Sequence, residues 1–193
     1  MTPVRSLPRH NKGFTIVEII VVVVVIAILA AITVVSYRNM QQRANNTKTI
    51  ANIQQYVKAI NTYKVFTGSY PKVPGEAPGT VTLTCLGLGY PSGQCGVISG
   101  SQVTESSVFM ADLQQKSGVN LSAIVNNRSG AVGGESFTGA VYGIDLSATS
   151  PSGYGRVIDW IMEGPNQKCG LEGSWAYSSK NGNTACEISI EDV

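Results

Sequence analysis

Residues 19–37 read IIVVVVVIAILAAITVVSY, nineteen positions with no Asp, Glu, Lys, Arg or His. As a helix rising about 1.5 Å per residue this stretch spans roughly 28 Å, close to the thickness of a bilayer's hydrocarbon core. The β-branched run Val21 to Ile26 favours strand in water, but strands rarely exceed about ten residues. In lipid a lone segment must satisfy its own backbone, so the reading is a membrane helix. The apolar core of a secretory signal peptide is shorter and ends in an A-x-A-like site. Here the small residues run Ala27-Ile28-Leu29-Ala30-Ala31, without that pattern.

Both flanks are basic. Arg5, Arg9 and Lys12 precede the run, and Arg38, Arg43 and Lys48 follow it, so the positive-inside rule is balanced. Cysteine decides the orientation. Cys85, Cys95, Cys169 and Cys186 all lie C-terminal to the run, without zinc-type C-x-x-C spacing. An even count in a Gly/Ser/Thr-rich chain points to two disulfides and an oxidising compartment. The N-terminus is therefore expected inside and the bulk of the chain outside. Three pairings are open from sequence alone, with the sequential one, Cys85 with Cys95 and Cys169 with Cys186, expected.

Immediately before the run stand Lys12-Gly13-Phe14-Thr15-Ile16-Val17-Glu18. A carboxylate at the mouth of an apolar helix is costly in lipid and so a functional candidate. The plainer reading places Glu18 in the first helical turn, favoured by the helix dipole. A short basic leader ending in Gly, then Phe, then an acidic residue before an apolar run resembles the class III signal of type IV prepilins. The resemblance implies cleavage between Gly13 and Phe14 by a membrane prepilin peptidase, which then N-methylates Phe14. It implies a subunit held in the cytoplasmic membrane until an assembly platform and its motor ATPase polymerise it into a surface filament, its partner there being other copies of itself. In such filaments Glu18 of one subunit is expected to meet the Phe14 amine of a neighbour. A desolvated charge paired only in the assembled state would set subunit register. Many family members carry a Gly and a Pro inside the apolar segment, where this chain has Ala27 and Val35.

Beyond Arg38 the helical pattern continues. Ile50, Ile53, Val57, Ile60 and Tyr63 recur at three- and four-residue spacing, a stripe suited to packing on a sheet. Gly68 followed by Tyr70-Pro71 ends the helix, and a Tyr-Pro at this place also resembles pilins and pseudopilins. Residues 106–116 read as a short helix stopped by Gly118. Residues 140–144, 156–162, 174–177 and 186–190 read as strands. Cys85 and Cys95 flank a tight turn or small hairpin, Pro151-Ser152-Gly153 a turn, and residues 119–139 a Gly/Ser/Asn-rich loop. The expected fold class is α+β, with a long N-terminal helix packed on a small antiparallel meander bearing disulfide-closed loops. The expected organisation is a leader at 1–13, a membrane and polymerisation segment at 14–37, an amphipathic half-helix at 38–66, and a globular head at 67–193.

Only 13% of residues are charged, about half the share in ordinary soluble domains. What charge there is lies segregated. Residues 38–72 hold six basic groups and no acid, whereas residues 73–193 hold five basic and eleven acidic groups. A solvated helix face explains the first block; basic stalks docking on acidic heads of neighbours is the sharper expectation. DNA binding along the basic face lacks the aromatic interleaving and charge density it needs.

A catalytic set is not legible. The one histidine, His10, lies in the expected leader, which leaves no His-based triad or metal site in the mature chain. Disulfide-bonded cysteines supply no thiolate. Gly87-Leu88-Gly89 lacks the context of a nucleotide loop. Asp145, Asp159 and Glu163 are the carboxylates nearest to a glycosidase-like set, though strand carboxylates usually face solvent. The expectation is a structural protein without enzyme activity, cofactor or metal, and its two nearest variants are a pseudopilin of a secretion or competence system and a minor tip pilin acting as an adhesin.

Overall fold

The computed structural model describes residues 13–77, 79–98, 100–121, 125–132, 135–145, 155–178 and 182–190. The expected leader up to Lys12 and the Pro151-Ser152-Gly153 turn lie outside them. The described residues up to Gln41 form one compact unit and those from Gln42 onward a second.

The first unit is the start of helix α1 (Ile16–Thr67), which is unbroken through Ala27. From Ile16 to Val34 its described apolar side chains are exposed all round, Ile16 at 79% and Val25 at 49%. A helix apolar on every side finds its solvent in lipid or among other helices. It is long and apolar enough to cross a membrane.

In the second unit α1 ends at Thr67 as expected. Gly68 takes a left-handed φ of 79°, and its N–H donates to the Lys64 carbonyl at 2.8 Å, the cap that glycine adopts without strain. Strands β1 (Thr82–Cys85), β2 (Gln94–Ile98) and β3 (Ser101–Thr104) follow, with a short 3-10 turn at Pro91–Gly93. Helix α2 (Ser107–Ser117) is capped by the Ser106 hydroxyl, which accepts from the Phe109 N–H, and by Gly118 in the left-handed region. Then come β4 (Ser129–Val132), β5 (Glu135–Thr138), β6 (Ala140–Asp145), β7 (Gly155–Met162), β8 (Trp175–Ser178) and β9 (Thr184–Ser189).

Two antiparallel sheets result, with orders β1-β6-β7-β9-β8 and β3-β2-β5-β4. The α+β class holds, but the meander does not. β9 inserts between β7 and β8, with Trp160 opposite Cys186 and Ile158 opposite Ile188. Every residue of β9 is buried, so the strand that can bury both faces takes an interior place, and β8 goes to the edge. Cys85 and Cys95 do not flank a hairpin: β1 pairs with β6, and β2 with β3 and β5. Part of the expected 119–139 loop is strand, since β4 and β5 pair from Ser129↔Thr138 to Val132↔Glu135.

One face of the larger sheet meets α1 and α2 in the main core. Ile53, Tyr56, Ala59 and Ile60 of α1 pack there with Leu113, Tyr142, Ile158, Trp160 and Ile188. The helix stripe is turned from the expected one, with Tyr56 and Ala59 fully buried and Ile50 and Val57 at its margin. Its upper part is polar. Asn46 exchanges hydrogen bonds with the Glu163 backbone, accepting at 2.8 Å and donating at 3.0 Å, and Asn52 donates to the Val125 carbonyl at 3.2 Å. A satisfied amide can occupy a buried helix position that hydropathy assigns to an aliphatic. The sheet's other face and the second sheet enclose a smaller cluster around Val141, Ile161, Phe137 and the Cys85–Cys95 pair.

Candidate functional site

The N-terminal turn of α1 holds the residues that the sequence singles out. Thr15 and Glu18 form a reciprocal cap. The Thr15 N–H and hydroxyl both donate to Glu18 Oε2 at 2.9 Å, and the Glu18 N–H donates to Thr15 Oγ1 at 3.3 Å. This is the capping box, in which a Thr and a Glu three residues on satisfy amides that have no partner inside the helix. The plain reading of Glu18 as a first-turn acid is therefore part of its role. The signal for Thr15 in the sequence is the Thr-x-x-Glu spacing, which the charge of Glu18 alone does not disclose. Glu18 Oε1 has no hydrogen-bond partner among the described residues, although a carboxylate accepts through both oxygens. Phe14, beside it, is 81% exposed, and Gly13 has open space around it. The amide that Thr15 donates lies C-terminal to the Gly13–Phe14 bond, so cutting that bond leaves the capping box intact.

Cysteine pairs close two loops in the second unit, Cys85 with Cys95 and Cys169 with Cys186, at Cα separations of 5.9 and 5.6 Å. The first loop is fixed further by Glu105, whose Oε2 accepts from the N–H groups of Gly89 and Tyr90 at 2.7 and 3.0 Å. The loop after α1 is clamped by Arg156 and Glu76, a two-pronged ion pair at 2.7 and 2.9 Å. Glu76 also accepts from the Val73 N–H. Burial pushes its carboxyl up, but the Arg156 hydrogen bonds and the Val73 amide outweigh that, and it sits below the usual range.

Charge is arranged unevenly. Glu76, Asp112 and Glu163 are paired with Arg156, Lys116 and Arg128. Arg38, Arg43, Lys48, Lys58, Lys64 and Lys72 are exposed and form no salt bridge among the described residues. Asp159 is buried and directly opposite Glu187 on β9, Glu163 is engaged by Arg128 and by Asn45 Nδ2, and the Asp145 side chain lies outside the described residues. Among the described residues no group of three or more His, Cys, Asp and Glu is placed to hold a metal ion.

Comparison with known families gives one match: residues 8–34 fit the model of the prokaryotic N-terminal methylation motif, the class III signal peptide of type IV prepilins. The match covers the junction and most of the apolar run and stops short of the second unit. No curated protein and no solved structure matches the chain.

Proposed function

We propose, from the prepilin signal at residues 8–34, that the chain is the structural subunit of a type IV pilus. Cleavage between Gly13 and Phe14 and N-methylation of Phe14 yield a subunit of residues 14–193. Residues 14–37 anchor it in the cytoplasmic membrane and later line the filament axis, residues 38–66 continue as the amphipathic half, and residues 67–193 form the head. The assembly platform and its motor ATPase then move it from the membrane into an extracellular filament.

The observation that carries this reading is the prepilin signal at residues 8–34 running into a helix segment whose apolar side chains are exposed all round. Glu18 accepts from Thr15 through Oε2 in the first turn of α1, just ahead of its apolar run. In a filament the methylated Phe14 amine of a neighbouring chain is the cation that processing creates and that Glu18 meets. Subunits docked out of register leave both charges unpaired in an apolar surrounding.

Glu18→Gln tests this directly. Glutamine completes a capping box as glutamate does, so the helix start is preserved and only the charge is lost. The expected result is normal cleavage with no filaments in the sheared surface fraction. Filaments formed at the ordinary level by Glu18→Gln would reduce Glu18 to a helix cap. The same fraction from the unmodified strain separates the nearest variants. A subunit found along shafts is a major pilin, one confined to tips a minor pilin, and one absent from surface filaments a pseudopilin.

A further inference from the structure

The second unit carries two neighbouring cavities that filament assembly does not account for. The first, about 360 Å³, lies beside α1 and is bordered by Asn45, Lys48, Asn126, Asn127, Arg128 and Glu163. The second, about 640 Å³, opens beside the second sheet and the 3-10 turn and is bordered by Ser92, Gln94, Ser129, Ser136 and Thr138. Asn127 borders both. Each volume lies within the range of ligand pockets.

The walls are set before any ligand arrives. The Asn126 amide is fixed by three hydrogen bonds, donating to Thr49 Oγ1 and the Ile161 carbonyl and accepting from the Arg128 N–H. Arg128 is aimed by its 2.8 Å ion pair with Glu163, whose Oε2 also accepts from Asn45. Both donors reach the same oxygen of Glu163. The Lys48 ammonium and the Asn127 amide have no partner among the described residues, and only one guanidinium nitrogen of Arg128 meets Glu163. The first cavity therefore offers surplus donors and a net positive charge. The second contains no ionisable side chain and presents hydroxyls and amides beside Pro91, Val97 and the Cys85–Cys95 bridge, with the Ser129 and Thr138 hydroxyls 2.7 Å apart.

These two chemistries, joined at Asn127, select a ligand with a carboxylate at one place and hydroxyl groups along the rest. We infer that the cavities bind an acidic oligosaccharide of the uronate class. The carboxylate of one sugar sits between Lys48 and Arg128, and the neighbouring sugar hydrogen-bonds across Ser129 and Thr138. Neither cavity is bordered by an aromatic side chain, which removes the stacking platform that a single-stranded nucleic acid needs. It also keeps single-site affinity low, so repetition along a filament would supply the avidity.

The test uses the full chain in a polyoxyethylene detergent, which carries no sugar headgroup, with tetragalacturonate and its methyl ester as ligands. Ligand-observed NMR titration should give a Kd of about 1 mM for the acid and at least about fivefold weaker binding for the ester, the factor expected of one partly exposed charge contact. Lys48→Gln should weaken the acid by about fivefold and leave the ester unchanged, while Thr138→Val should weaken both. Both variants should melt at the temperature of the unmodified chain. Absence of saturation by 10 mM, about tenfold above the expected Kd, would overturn the assignment. So would equal binding of acid and ester, or indifference to Lys48→Gln. A DNA oligonucleotide competing as well as tetragalacturonate would show a general anion surface and would also overturn it.

Discussion

Replacing Glu76 by glutamine removes one charge from the clamp that holds the loop after α1, and its effect can be worked from the geometry. Glu76 receives both prongs of Arg156 and the Val73 N–H. Arg156 Nη1 also donates to the Pro71 carbonyl, which accepts from Tyr142 Oη as well. Exposed ion pairs contribute about 0–1 kcal/mol, and breaking a fully buried one costs about 3–5 kcal/mol. With side chains only 12% and 14% exposed, this pair falls between those limits, and Glu76→Gln should cost about 2 kcal/mol. In a domain of this size that lowers Tm by about 4–8 °C. The carboxyl is held below its ordinary range in the folded state. Its contribution is therefore fully present above the unfolded pKa, about 4.3, and is lost as pH falls through the folded value. The gap between the unmodified chain and Glu76→Gln should be widest at neutral pH and close on acidification. Near-ultraviolet circular dichroism melts of the detergent-solubilised chain, run from pH 7 to about pH 3, read both quantities. A variant that melts with the unmodified chain at pH 7, or a gap that persists undiminished at the acid end, would refute the clamp. Combining Glu76→Gln with Arg156→Met should cost less than the sum of the single changes.

Two further outcomes follow from the packing. Ile60 is completely buried between α1 and the sheet, so Ile60→Ala should cost about 3 kcal/mol and lower Tm by roughly 10 °C in the same melts; a shift within error would mean that the helix does not pack there. Replacing Cys169 and Cys186 together by serine opens a loop of sequence separation 17 and should cost about 3 kcal/mol in urea unfolding, and an unchanged midpoint would contradict a structural role for that bridge.

How far the sequence disclosed this molecule depends on the physical signal at each place. The apolar run forces a helix because nothing else satisfies its backbone in lipid, and α1 was legible throughout. α2 was legible from its stop at Gly118, whose capping chemistry is local, whereas the Ser106 cap emerges only in the structure. β6 and β7 announced themselves through apolar residues, but the place of β9 did not. Central position depends on what covers its second face, and alternation along the strand does not report that. The second sheet was hidden because QCGVI, SQVT, SGAV and ESFT are short and rich in Ser, Thr and Gly. The first cavity arises where residues 125–128 and Glu163 meet α1, and the second opens beside the second sheet, both from residues far apart in the chain. In the N-terminal turn the charge of Glu18 was conspicuous, while its partner Thr15 required reading the spacing as a cap.

Cleavage between Gly13 and Phe14 is the step on which assembly depends, and intact mass spectrometry of the chain produced together with a prepilin peptidase tests it. The expected species lacks residues 1–13, begins at Phe14 and carries one added methyl group. A chain that retains residues 1–13, or one cut behind the apolar run so that the helix is lost, would contradict it.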